Sequence, residues 1–296
     1  MKQAGWNVGY CCTFLTIFLF FSICITSANA SQSPAEPPAA DWIAGPIRVD
    51  LGENLADLKL EEGYIFADAE DTAVLLEYMG NIPNEKELGL ITPNEPNKNW
   101  FIVFRHYPVG YVKDDEKDSI DSAAILNAIR EGTEQANEIR AEKGITPLTI
   151  KGWYQEPYYD DVTHNLTWTL LAEQDGQEIV NHNVRLLGRH GYVSVVLVAD
   201  VPILDASLEE LDAIISNVTY KKGKSYAEFV KGDKVAKYGL AALIAGGSAA
   251  AAAKFGLFKF LGKAWKVIVI GTLGVLAALK KTLKSAFGGK KKTATV

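Results

Sequence analysis

The sequence predicts an α+β fold, a mainly antiparallel sheet packed with helices, followed by a hydrophobic helical membrane anchor. Three observations carry this. Four strand-length runs follow one another between 148 and 199, and their links are too short for anything but antiparallel neighbours. Helix-period segments stand before and after that meander rather than alternating with its strands. Uncharged apolar residues gather at the two ends of the 296-residue chain, while every Asp and Glu lies between Glu36 and Asp233.

The elements follow in chain order. Lys2 opens a short basic start, Thr13 to Ile25 is apolar, and Thr26-Ser27-Ala28-Asn29-Ala30 offers small residues before a cut after Ala30. This is a secretory signal pattern over 1–30, with an uncleaved anchor as the alternative; the apolar run falls short of the roughly 20 residues of a span. Residues 31–40, rich in Pro and Ala, read as a disordered leader to an extracytoplasmic domain over 41–237. The three cysteines, Cys11, Cys12 and Cys24, all lie inside the signal. The mature domain therefore has no disulfide, thiol nucleophile or cysteine-ligated zinc.

Within the domain, Ile47 to Leu51 and Tyr64 to Ala67 read as short strands, and Thr72 to Met79 as a helix ended by Gly80-Asn81. Trp100 to Tyr107 is a strong strand, with Gly110 to Lys113 expected to pair with it through a turn at Pro108. A long helix runs from about Ser119 to Lys143, capped by Asp118 and closed by Gly144; Ile125, Ile129, Ala136 and Ile139 form its apolar stripe. The meander strands are Leu148 to Tyr154, Asn165 to Leu171, Glu178 to Leu187 and Tyr192 to Ala199. Ser207 to Ser216 closes the domain as a helix, Ser207 and Glu210 standing at capping-box spacing.

Beyond the domain, Tyr238 to Ala253 carries no charge, and Ala242, Gly246 and Ala250 stand four apart, a pattern that lets helices approach in a membrane. Val267 to Leu279 is a second apolar run. Between them, Lys259, Lys263 and Lys266 share one side of a helix with Trp265 nearby, as in an interfacial helix with snorkelling lysines. Residues 238–279 thus read as the membrane anchor, of one or two helices, and 280–296 as a lysine-rich tail. The terminal lysines favour a cytoplasmic end and an odd number of spans, whereas the central lysines favour a hairpin.

Charge narrows the partners. Residues 31–253 hold 36 acids against 19 Lys and Arg, about −17, which argues against nucleic acid, whereas the ten lysines from Lys254 onward suit anionic lipid headgroups. A lipid bilayer, met through the C-terminal tail, and a membrane or envelope protein are the expected partners.

Several motifs occur in series: Gly110-Tyr111-Val112-Lys113-Asp114-Asp115, Gly152-Trp153 with Pro157-Tyr158-Tyr159-Asp160, Leu166-Thr167-Trp168, Leu187-Gly188-Arg189, Tyr226-Ala227-Glu228-Phe229, and Asp233 to Leu240. Together they resemble a bacterial family of predicted membrane-anchored proteins defined by a domain of unknown function, number 2167. The resemblance spans about Trp42 to the tail. It implies an envelope protein at the inner membrane with its domain on the periplasmic side, and it brings no activity, substrate or catalytic residue.

Chemistry-bearing candidates are sparse. Strand alternation turns His182 toward the core with Val180, Val184 and Leu186. His164 after Asp160-Asp161, and His190 after Arg189, fall at strand ends where sites form. No metal-ligand spacing and no nucleotide-cofactor fingerprint is present, so no cofactor is expected. Asp114, Glu116 and Asp118 mimic the start of a calcium loop but lack its Gly and its closing Glu, and read as helix-capping acids. Trp153, Tyr158 and Tyr159 with Trp168 on the next strand form an aromatic group that pairing brings toward Arg185 and Arg189. Such groups make binding surfaces, and they also fill cores. The expectation is a binding or scaffold module for an envelope protein partner. The alternative is an envelope hydrolase or small-ligand binder using Asp160, Asp161, His164, Arg185 and Arg189.

Overall fold

Alternating apolar side chains on Asn165–Gln174 (β8), Gln177–Gly188 (β9) and Gly191–Asp200 (β10) give each strand two buried faces, so the meander must be covered on both sides. The computed structural model describes residues 38–95 and 97–246. The meander is the larger part of an eight-stranded antiparallel sheet. Its other strands are Ile43–Ala44 (β1), Tyr64–Ala67 (β4), Glu87–Pro93 (β5), Trp100–Tyr107 (β6) and Thr149–Asp160 (β7), in the order β1-β4-β5-β6-β10-β9-β8-β7. Ile47–Leu51 (β2), Ala56–Leu60 (β3) and Val218–Tyr220 (β11) form a second, three-stranded sheet.

One face of the large sheet bears Val180, Val184, Leu186, Val193, Val195, Leu197, Ile102 and Phe104. It packs against the small sheet and against the helix Leu204–Ser216 (α3), which buries Leu204, Leu211 and Ile214. Each fully buried leucine contributes roughly 2 kcal/mol. The opposite face bears Leu166, Trp168, Leu170, Ala172, Leu187 and Tyr192. The helix Ser122–Glu142 (α2) lies there, while Ala69–Tyr78 (α1) covers β5 and Val103 through Leu75 and Leu76.

Several expectations shift. The long helix starts at Ser122 with Asp121 as its cap, whose carboxylate accepts from the Ala124 N–H; Asp118 lies instead in a short 3₁₀ turn, Lys117–Ser119. Only Ile125 of the apolar stripe is buried, and Ile139 is exposed. Gly110 to Lys113 does not pair with β6: Tyr111 makes a single parallel bridge to Val235. Ser207 lies inside α3, its hydroxyl donating to the Ile203 carbonyl, and the capping box belongs to Ser225 and Glu228. Ala40 of the expected leader already packs beside α1.

The largest correction concerns the anchor. Leu240–Ile244 (α4) is a five-residue helix, and all five residues are buried. Leu240, Ala241, Leu243 and Ile244 share a core with Val112, Ile125 and Trp168. Gly246 then takes φ 97°, outside the helical region, and Ala250 lies outside the described residues. A membrane span therefore does not begin at Tyr238; the domain continues through α4. Among the described residues no helix is long and apolar enough to cross a membrane. The signal, the run from Gly247 to Leu279 and the lysine tail lie outside the described residues.

Candidate functional site

At one end of the large sheet, three segments meet around Tyr111. The β7–β8 hairpin pairs Asp160 with Asn165, leaving a four-residue turn that ends on His164 at φ 56°. Asp160 holds this turn, its Oδ1 accepting from the N–H of Val162 at 2.7 Å and of Thr163 at 3.2 Å, and these bonds lower its pKa. Asp161 forms an ion pair with Lys117.

Tyr159 donates its only proton to Asp114 Oδ2 at 3.1 Å, so the contact between its oxygen and His164 Nδ1 at 3.0 Å requires the imidazole to donate. Burial, and then the Asp114 charge, raise the Tyr159 hydroxyl above its usual range. The His164 ring lies 4.6 Å from that of Tyr226, which stacks on Tyr111 at 4.4 Å; Phe229 stacks on the same Tyr111 ring at 4.1 Å. Tyr226 donates to the Val112 carbonyl at 3.0 Å.

The chain after β11 binds this end as a strap. Arg189, in the β9–β10 turn, holds Asp233 with two bonds, Nε at 2.7 Å and Nη2 at 2.9 Å. That fork, with the Val230 N–H, lowers the Asp233 carboxyl to about 2. The Tyr111 backbone N–H donates to the Lys234 carbonyl and its carbonyl accepts from the Ala236 N–H, each at 2.8 Å. Gly110 (φ 101°) is needed here, because a Cβ would come within 2.7 Å of the Lys234 carbonyl; one on Gly239 would meet the Glu116 carboxylate.

A second constellation lies on the α2 face. Across four strands, Arg185, Ser194, Arg105 and Glu87 stand in one register row. Glu87 accepts from Arg105 Nε at 3.0 Å and from the Lys86 N–H at 3.0 Å. Burial pulls its carboxyl up, but the bond and charge of Arg105 with the N–H groups of Glu87 and Asn84 outweigh that and hold it below its ordinary value. Arg185 is different. Its guanidinium lies 4.5 Å from the Trp168 ring centre and 5.9 Å from that of Tyr192, which in turn stacks on Tyr107 at 5.0 Å. Its Nη atoms make only 3.4 Å bonds, to Val184 O and Asn183 Oδ1, and its buried Nε has no partner. Burial pushes its pKa down.

The nine candidate residues therefore separate. Asp160, Asp161, His164 and Tyr159 share the hairpin end, and Arg185 and Trp168 share the buried cage. Arg189 turns to the strap. Trp153 ties β7 to α2 through Nε1 donating to Ser122 O at 3.1 Å. Tyr158 lies across from Thr167 on the other face, as alternation from its neighbour Tyr159 requires. Tyr107, Asp114, Lys117, Tyr192 and Asp233 join these clusters without a sequence signal of their own. Tyr107 meets Tyr192, Asp114 meets Tyr159, Lys117 meets Asp161 and Asp233 meets Arg189, each pair 44 residues or more apart in the chain, although Asp114 and Asp233 fall inside the motif series. Among the described residues no group of three or more His, Cys, Asp and Glu is placed to hold a metal ion.

The segments carrying the family resemblance converge at the Tyr111 end. The family described as "Protein of unknown function (DUF2167)" matches residues 43–278. The chain belongs to this family. Curated proteins give no match. Among solved structures, a likeness at 13% identity and a TM-score of 0.35 is to the solution structure of cyanobacterial PsbP (CyanoP) from Synechocystis sp. PCC 6803. It covers 64% of this chain and 100% of that one, and at that score it carries no argument. In this DUF2167 domain the C-terminal strap is bonded to the β9–β10 turn through Arg189 and to the loop after β6 through Tyr111.

Proposed function

We propose that this DUF2167 chain is a membrane-held, extracytoplasmic binding module of the bacterial envelope that works through a protein partner. The observation that carries the reading is the strap. The segment leading into the apolar, lysine-rich run is fixed to the domain by the Arg189–Asp233 fork, the Tyr111 bridge and the buried α4. A bilayer holding residues beyond Gly246 would therefore hold the domain in a set orientation instead of on a loose leash.

The surface offered to a partner is the β7 edge, where Tyr154 and Tyr158 are about half exposed, at 50% and 47%. Pro157 lacks a donor and the bulges break the ladder, so this edge discourages strand addition and presents side chains instead. Crosslinking in intact cells, followed by membrane solubilisation and mass spectrometry, tests the proposal. One dominant envelope partner, lost in the Tyr154→Ala/Tyr158→Ala double variant, is expected. Recovery of the protein alone would contradict it.

One observation favours a second reading, a small-ligand binder. Arg185 is a buried cation with no acid in ion-pair reach among the described residues, and an anionic ligand would answer its charge. Small organic anions that raise the melting temperature of the natural chain but not of Arg185→Met would support that reading. The remaining residues of a hydrolase hypothesis are engaged elsewhere: Asp160 in its own turn, Asp161 with Lys117, His164 with Tyr159, and Arg189 with Asp233.

A further inference from the structure

The strap has two sides, and their chemistries are opposite to those of the domain around it. Its inward side is Asp233, held by Arg189, together with the Lys234 carbonyl and the Ala236 N–H on Tyr111. Its outward side is Val230, Lys231, Lys234, Val235 and Lys237, all exposed; Val230 is 51% and Val235 39% accessible. The only acid in the segment is thus turned inward, and two valines and three lysines face out. In a domain of about −17, the stretch from Lys221 to Lys237 holds six lysines and two acids. The second acid, Glu228, is turned onto Ser225, where it accepts from both the N–H and the hydroxyl. From Lys237 only nine residues lead to Gly246, and the fifty beyond it carry ten lysines and no acid.

We propose that the outward side of Val230–Lys237 lies on an anionic lipid surface, with Val230 and Val235 entering the headgroup layer and Lys231, Lys234 and Lys237 on lipid phosphates. This rests on the membrane-held reading and deepens it by giving the face of the domain that meets the bilayer. Three features point to lipid over a protein groove. The charge complements an anionic headgroup layer. The apolar contribution is two small side chains, suited to shallow insertion. Beyond the buried α4, from Gly247 onward, the chain enters a segment of the same lysine-and-apolar chemistry. Each lysine adds roughly a fivefold bias toward an anionic surface. The Arg189–Asp233 fork has a defined part, since it withdraws the one opposing charge and locks the segment flat against the domain.

The test uses the full chain with Cys11, Cys12 and Cys24 replaced by serine. A single cysteine at Val235 (Val235→Cys), or at Ile139 (Ile139→Cys) on the exposed side of α2 as a control, carries an environment-sensitive dye. The protein is mixed with vesicles of phosphatidylcholine and phosphatidylglycerol, or of phosphatidylcholine alone. On anionic vesicles the label at 235 shifts to the blue and is quenched by a headgroup-attached quencher, while the label at 139 stays as in water. The Lys231→Glu/Lys234→Glu/Lys237→Glu variant and the neutral vesicles lose the shift at 235. A chain that floats with anionic vesicles while its label at 235 stays water-like overturns the strap contact alone. Absence of flotation on both vesicle types overturns the membrane-held reading, and the strap contact with it.

Discussion

Lowering the pH from 7 to 5 should destabilise the domain, chiefly through the buried imidazole of His182, with the half-buried His106, also lowered by burial, adding to it. His182 is 6% exposed, on the face of β9 packed against the small sheet. Its Nδ1 lies 2.8 Å from the Thr169 hydroxyl, which gives its own proton to Gln155, so Nδ1–H donates to that hydroxyl and it is burial that disfavours a second proton on the ring. Burial pushes its pKa down from 6.5 to about 4. Because the folded value is depressed, the unfolded chain takes up a proton first as the pH falls. Stability is full above about 6.5 and is lost progressively toward 4. Between pH 7 and 5 the loss from this one group is about 2 kcal/mol. At a urea slope of about 2 kcal/mol per molar, the midpoint falls by about 1 M. The carboxylates with lowered values, Glu87, Asp160, Glu228 and Asp233, start from ordinary values of 4.5 or 3.8 and act below this window. Urea unfolding of residues 31–246, followed by tryptophan fluorescence, reads the effect. His182→Leu should remove most of the loss between pH 7 and 5. An equal loss in the variant and the natural domain would refute the argument.

Three further outcomes follow from the same chemistry. Glu87→Ala leaves Arg105 without its partner on a largely buried row, and should cost about 3 kcal/mol in urea unfolding. Arg185→Met removes a buried charge held only by ring faces and two long bonds; it should be neutral or stabilising by about 1 kcal/mol, and a loss above about 2 would mean the ring contacts outweigh desolvation. Asp233→Asn should free the strap without unfolding the sheet. Amide exchange should then quicken at Tyr111 and Ala236, whose N–H groups bridge strap and loop, and stay slow along β9 and β10.

The meander was legible because its strands alternate cleanly and its links carry Asp175-Gly176 and Gly188 to Gly191, so β8, β9 and β10 lie within a few residues of expectation. Four strands escaped: β1 and β11 are only two and three residues long, and β5 and β3 escaped for opposite reasons. In β5, Gly89 and Pro93 read as turn residues, yet Gly89 is required because a Cβ there would lie 2.2 Å from the Phe66 ring. In β3, Asp57 and Lys59 alternate with small and apolar residues over only five positions, too few to stand out. Leu240 to Ile244 was misread because an uncharged run of Leu, Ala and Ile suits lipid and a protein core equally; Ile125 and Val112 decide for the core. Of the candidate residues, the placement of His182 followed from alternation alone. The Arg185 cage needed Tyr107 and Tyr192, brought in by the β6–β10–β9 register, which no local pattern reveals.

Fractionation of bacterial cells expressing the full chain tests the central claim most directly, with a version ending at Gly246 in parallel. The full chain is predicted to sediment with membranes, resist high-salt and carbonate washing, and be cleaved by protease added outside spheroplasts, while the shortened version appears in the soluble periplasmic fraction. Recovery of the full chain in the soluble fraction, or its protection from external protease, would contradict a membrane-held extracytoplasmic module.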